Sequence, residues 1–178
     1  MTTAISPAFV HSRPAARRER LQWIAYWLVT LFVADEMIAG ALWDLLQIEY
    51  VRVVMTHLGY PLYVLYIIGA WKLPCAVTML VPRFPRLKEW AYAGAIFNYT
   101  GALASHLLAG DGPSKWIWPA AFAVLTSASW ALRPADRRLV PAGPRTSLRW
   151  VSWVTPIAIT VALVILSLMT LPKGPPPA

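Results

Sequence analysis

The chain has little means for thiol chemistry. Cys75 is the single cysteine in 178 residues, which excludes an internal disulfide and a Cys-x-x-Cys redox centre. Charge is scarce as well: charged residues make up 13% of the chain and apolar residues 58%, roughly half the charged fraction of an ordinary soluble domain. With only three histidines, no spacing of His, Cys or carboxylate fits a metal site, and a bound metal or haem finds no support. P-loop, GxSxG and dinucleotide-binding signatures are missing too.

What is present is apolar length. Five segments, at about 22–43, 60–81, 90–109, 116–132 and 150–171, are long enough or nearly so to cross a bilayer, since a helix rising ~1.5 Å per residue needs ~20 residues to span ~30 Å of hydrocarbon. The fourth is the shortest, but Trp116 and Trp118 at one end and Trp130 at the other resemble interfacial belts. The pattern predicts an all-α integral membrane helical bundle. The first segment is expected to be an uncleaved helix: its apolar run is too long for a signal peptide and carries two acids, Asp35 and Glu36.

The net charge of +8 is explained by where the cations lie. Twelve of them fall before the first span (Arg13, Arg17, Arg18, Arg20), in the second connection (Arg83, Arg86, Lys88) and in the fourth (Arg133, Arg137, Arg138, Arg145, Arg149). The opposite side holds Arg52, Lys115 and Lys173. This is the positive-inside pattern. It predicts a multi-pass protein of a cell (plasma or inner) membrane, N-terminus cytoplasmic and C-terminus outside, with the lipid bilayer as its surroundings and no nucleic-acid partner.

The expected organisation is a basic arm over 1–20, a four-helix core over 21–134, a linker over 135–149, a fifth transmembrane helix over 150–171 and a Pro-rich tail over 172–178. The long first connection alternates apolar residues with Gln47, Glu49, Arg52 and His57, which suits a short amphipathic helix on the outer surface. Pro82 and Pro85 set a tight basic turn, and Asp111 to Ser114 a second turn.

Ionisable groups inside apolar runs cost kilocalories in hydrocarbon and persist there when they face a bundle interior, a partner or a wet cavity. Lys72 is the clearest case. Counted from Tyr60, its Cα lies ~18 Å below the outer surface, and Pro74, two residues on, leaves the carbonyl of Ala70 without its helical donor. Glu36 shares a stripe with Phe32, Gly40, Trp43 and Gln47, a mix expected of an inward face. Asn98 shares one with Trp90, Gly94, Gly101 and Ser105, with His106 beside it. By depth, a Lys72–Glu36 ion pair with His106 and Asn98 nearby is sterically allowed, and it serves equally as a structural lock or a reactive site. A stripe of Gly and Ser is more often packing surface than site. Glu89 in the third helix suits a dipole cap, Cys75 suits packing, and His57 with Tyr60 and Tyr63 borders the outer mouth.

From Tyr26 to about Pro134 the chain resembles the DoxX-like family of small membrane proteins. The likeness rests on Glu36, Gly40, Trp43 and Asp44 in the first helix, then His57-Leu58-Gly59-Tyr60-Pro61 and Trp71-Lys72-Leu73-Pro74. It continues in Pro85-Arg86-Leu87-Lys88-Glu89-Trp90-Ala91-Tyr92-Ala93-Gly94 and in Gly101 to His106. The resemblance implies a four-helix membrane core, to which the fifth helix is an addition, and marks Glu36, His57, Lys72, Glu89, Asn98 and His106 as the positions to follow. The family name comes from a subunit of a thiosulfate:quinone oxidoreductase.

Two functional expectations follow, and the sequence alone does not decide whether the chain is an enzyme. In the first, the chain is a quinone-linked redox subunit acting on an apolar small molecule: Lys72 stabilises a developing oxyanion, Glu36 or His106 exchanges the proton, and Asn98 and His57 help hold the quinone. In the second, it is a non-catalytic membrane partner or scaffold of another enzyme or transporter, or a homo-oligomer, using its small-residue stripe and charge-free fifth helix as contact surfaces.

Overall fold

The computed structural model describes residues 13–134, 137–138 and 151–171. Among them are six helices and no strand: α1 (Arg13–Leu45), α2 (Glu49–His57), α3 (Tyr63–Leu80), α4 (Pro85–Leu108), α5 (Pro113–Leu132) and α6 (Val151–Met169). The all-helical expectation holds. Two helices, over Arg17–Leu45 and Tyr63–Leu80, are long and apolar enough to cross a membrane, and Trp153–Met169 is a shorter apolar one.

The connection through α2 and the short turns after α3 and α4 make α1, α3, α4 and α5 run alternately up and down, and contacts between neighbours close them into a ring: α1 on α3, α3 on α4, α4 on α5 and α5 on α1. Helix α6 lies mainly along α1 and also touches α3. Its start meets the α3–α4 turn, where Trp153 stacks edge-on against Phe84, so it runs parallel to α1.

α1 begins inside the expected arm. Ala, Arg and Glu are good helix formers, so the helix extends beyond the apolar run that marks it. The arm over 1–12, most of the linker and the tail over 172–178 lie outside the described residues. The buried stripe of α1 is Tyr26, Thr30, Val33, Ala34, Met37, Ile38, Ala41 and Asp44, a 3.6-residue period. Glu36 stands at its margin, while Phe32 on the expected inward stripe is exposed. Gly69 lets α3 approach: a Cβ there would lie 2.8 Å from Leu45 and 3.0 Å from the Ala41 carbonyl. The outward-facing Gly94 and Gly101 have open space instead, with no described residue packed on them.

As expected, the first connection holds an amphipathic helix, α2, which turns Val51, Val54, Met55 and Leu58 inward and Arg52, Thr56 and His57 outward. Its end and that of α4 are closed by Gly59 (φ 77°) and Gly110 (φ 76°), left-handed caps that glycine adopts without a Cβ penalty.

At the opposite end of the bundle the turn between α3 and α4 holds two non-glycine residues in left-handed backbone, Arg83 and Phe84, a conformation costing of order 1 kcal/mol each. Two cations hold it. Lys88, fully buried, donates to the carbonyls of Thr78, Met79 and Val81, and the Arg137 guanidinium donates to those of Met79, Leu80 and Val81. They satisfy the carbonyls left open by the end of α3 and complement its negative end. Arg137 also lies over Trp27, at 4.6 Å, and Arg133 over Tyr92, at 5.0 Å. Glu89 sits in the second turn of α4 and accepts from Arg133 (2.7 Å) and the Trp130 indole (2.8 Å), so it ties α4 to α5 rather than capping a helix. Replacing Lys88 by Met should cost about 2 kcal/mol, read as a lower thermal unfolding midpoint in detergent, with Lys88→Arg closer to wild type. An unchanged midpoint would mean that Arg137 alone closes α3.

Candidate functional site

Lys72 lies near the middle of α3, ~14 Å along from its start. Its side chain turns back toward the end where α1 finishes, and the ammonium meets Asp44 at 3.0 Å, both groups being largely buried. Asp44 reaches it because it ends the buried stripe of α1. The direct ion pair is therefore Lys72–Asp44, with Glu36 farther than 4 Å from the ammonium nitrogen. Both side chains nonetheless converge on Gly40, where a Cβ would lie 2.8 Å from Lys72 Nζ and 3.2 Å from Glu36 Oε1. Any side chain there would displace the ammonium. Glu36 Oε2 accepts the hydroxyl of Tyr99, which α4 presents from its buried face.

An apolar groove of about 400 Å³ opens between α3 and α4 and reaches Met37 of α1. Lys72 supplies an ammonium to its wall, and Asn98, Thr78 and Cys75 the other polar or sulfur-bearing groups. Asn98 has no hydrogen-bond partner among the described residues. Trp71 and Trp90 stand at the groove's edge, both widely exposed. The Cys75 thiol donates to the carbonyl of Ala91 at 3.0 Å, in keeping with a packing role.

His57 and His106 belong to a different cluster. The Gly110 cap turns the chain so that Asp111 follows α4 back on itself, its N–H bonding the His106 carbonyl at 3.0 Å. Its carboxylate then joins His106 Nδ1 at 2.7 Å and His57 Nε2 at 2.8 Å, tying the end of α2 to that of α4. The structure thus brings together Lys72 and Glu36 around Gly40, and places Asn98 on the groove with Lys72. His57 and His106 are joined to each other through Asp111, apart from Lys72. Among the described residues no group of His, Cys, Asp and Glu could hold a metal ion.

Asp44, Tyr99 and Asp111 were not foreseen as site residues. Signals for each existed: Asp44 sits on the apolar stripe of α1, a phenol on a buried stripe needs a partner, and Asp111 lies five residues after His106, just past a glycine cap.

The hydrogen bond from His106, and then that from His57, hold the Asp111 carboxyl below the usual carboxylate range. A depressed carboxylate pKa contributes stability that is present above the unfolded value and lost as pH falls through the folded one. The difference in unfolding midpoint between wild type and Asp111→Asn should therefore shrink as the pH is taken from about 5 to about 2. The Lys72–Asp44 pair gives a second expectation. Asp44→Asn strands a buried ammonium and should cost about 3 kcal/mol, much of it recovered in Lys72→Met/Asp44→Leu, because an apolar replacement of both partners leaves no unpaired charge. Urea or thermal unfolding of the singles and the double checks this.

Among known proteins, a family model described as the DoxX-like family matches residues 28–129, more than half of the chain. No curated protein and no solved structure matches.

Proposed function

The chain belongs to the DoxX-like family, and from that membership we propose that its helices cross a lipid bilayer and that the groove beside Lys72 takes a quinone as part of a redox assembly. The apolar exterior supports the first part: Trp71, Trp90, Phe97, Leu108 and Val124 on different helices are all exposed, and such a surface is stable against acyl chains rather than water. We place the basic end of the bundle, with Lys88, Arg133 and Arg137, on the cytoplasmic side.

The observation that carries the second part is a buried ammonium on the wall of a mostly apolar groove between α3 and α4. A flat carbonyl compound needs apolar walls for its rings and one strong donor for the oxygen that gains charge on reduction. Lys72 has three N–H groups and gives one to Asp44, so donors remain for a carbonyl oxygen, and Asn98 offers a second amide donor along the wall. Reducing a quinone to a quinol takes two electrons and two protons. The electrons would come from a reductant held by a partner protein. Lys72 would give one proton to the oxygen it faces and be reprotonated through Asp44, which sits where α1 reaches the bundle end, and the other oxygen would take the second proton from the aqueous phase. Glu36, held by the Tyr99 hydroxyl, brings a second carboxylate close to the ammonium at Gly40. His57 and His106 then fasten the α2–α4 end rather than exchange the substrate's proton.

A second reading, a scaffold for another membrane protein, is favoured by the open Gly94 and Gly101 face of α4, which admits another helix closely. Titration with decylubiquinone in mild detergent separates the two. Saturable binding that weakens about ten-fold or more in the folded Lys72→Met/Asp44→Leu variant supports the quinone site, since a charge-assisted hydrogen bond is worth that much. Binding equal to wild type in that variant would defeat it.

A further inference from the structure

A second pocket, of about 380 Å³, lies on the other side of Gly40, between α1, α5 and the last turns of α6. Asp35 and Glu36 line it, and among the described residues Asp35 has neither an ion-pair nor a hydrogen-bond partner. Glu36 Oε1 is likewise free, since Tyr99 bonds only Oε2. Across the pocket, Ser167 of α6 is 2% exposed and its hydroxyl is unpartnered. An orphaned hydroxyl at such depth costs stability unless something fills its bonding capacity. The charges do not balance either. Lys72 is the ammonium of this region; it meets Asp44 and lies beside Glu36 at Gly40, so three carboxylates share one cation and Asp35 is the one left without a partner among the described residues. The remaining lining joins Ala39, Leu166 and Thr170 to three aromatic rings, Trp43 and the stacked pair Phe32 and Phe122 at 5.3 Å.

We propose that this pocket binds an amphipathic primary ammonium ion. Its three N–H groups match three free acceptors, Asp35, Glu36 Oε1 and Ser167 Oγ, and its apolar body lies along Phe32 and Phe122. The rings of Phe32 and Trp43 add attraction for a cation. The pocket is far larger than a bare metal ion needs, and two carboxylates with one hydroxyl are too few oxygens to enclose one. Nothing in this proposal depends on quinone binding in the other groove.

The test compares 2-phenylethylammonium with 2-phenylethanol, its nearly isosteric uncharged analogue, by equilibrium dialysis against the full-length protein in detergent near neutral pH. The expected result is a preference for the ammonium of about ten-fold or more. That preference should be lost in Asp35→Asn, reduced in Ser167→Ala, and kept in Lys72→Met/Asp44→Leu. Decylubiquinone binding to Asp35→Asn should equal wild type, so the two sites fail independently. Equal affinity of wild type for ammonium and alcohol, or an undiminished preference in both Asp35→Asn and Ser167→Ala, overturns the proposal; Ser167→Ala decides if the Asp35 variant does not fold. Nanodiscs with and without phosphatidylethanolamine identify the source. Displacement of the probe by that lipid supports the site with a headgroup ammonium as its occupant, and undiminished probe binding supports a free amine.

Discussion

A buried ammonium has to be neutralised where it lies, and in this bundle that requirement falls on Lys72. Asp44 is its direct partner, at 3.0 Å, and reaches it only if α3 lies close and antiparallel to α1 with Lys72 facing the end of its neighbour. Gly40 and Gly69 make the approach feasible on either side of the contact. The apolar groove, the pocket behind Gly40 and the position of α4 with Tyr99 are all arranged around that pair. A buried ion pair of this kind gives little net stability against an apolar replacement but punishes any other register severely. Its contribution to the fold is the choice of one helix arrangement over others.

The opposite end of the bundle is governed by backbone rather than side-chain charge. Helix α3 ends in a turn that bends through two strained residues, and its last carbonyls would be unsatisfied in an apolar surrounding. Lys88 and Arg137 fill them from two sides of the turn, while Arg133 and Glu89 bind α5 to α4. Cations that a topology rule counts as loop charges therefore have a structural task.

The helices themselves were legible, since runs of apolar residues of bilayer length have few other uses and proline and glycine mark their ends. The amphipathic α2 was legible for the same reason, from its alternation. The start of α1 at Arg13 was not, because apolar runs report where a helix is greasy rather than where it stops. The polar partners were the least legible. Lys72 and Glu36 were identified as buried charges from their surroundings, yet Asp44 lies 28 residues from Lys72, and Tyr99 lies 63 from Glu36. Which carboxylate meets which cation depends on the rotation of each helix by a fraction of a turn. Glu36 stands at the edge of the buried face, which runs through Met37 and Asp44, and from there it reaches Tyr99 of α4. The histidines show the reverse case, where the partner of His106 lies only five residues away, at Asp111.

The absent side chain at residue 40 leaves the partition between the two cavities little more than a carboxylate and an ammonium thick. A group that draws on the ammonium from one side alters the potential felt at Glu36 on the other, in a region with little water to screen it. Thermodynamic linkage makes such an influence mutual: whatever factor one occupant imposes on the affinity of the second, the second imposes on the first. Gly40 thus keeps the ammonium and the Glu36 carboxylate near enough for any such influence to pass between the two cavities without a helix having to move.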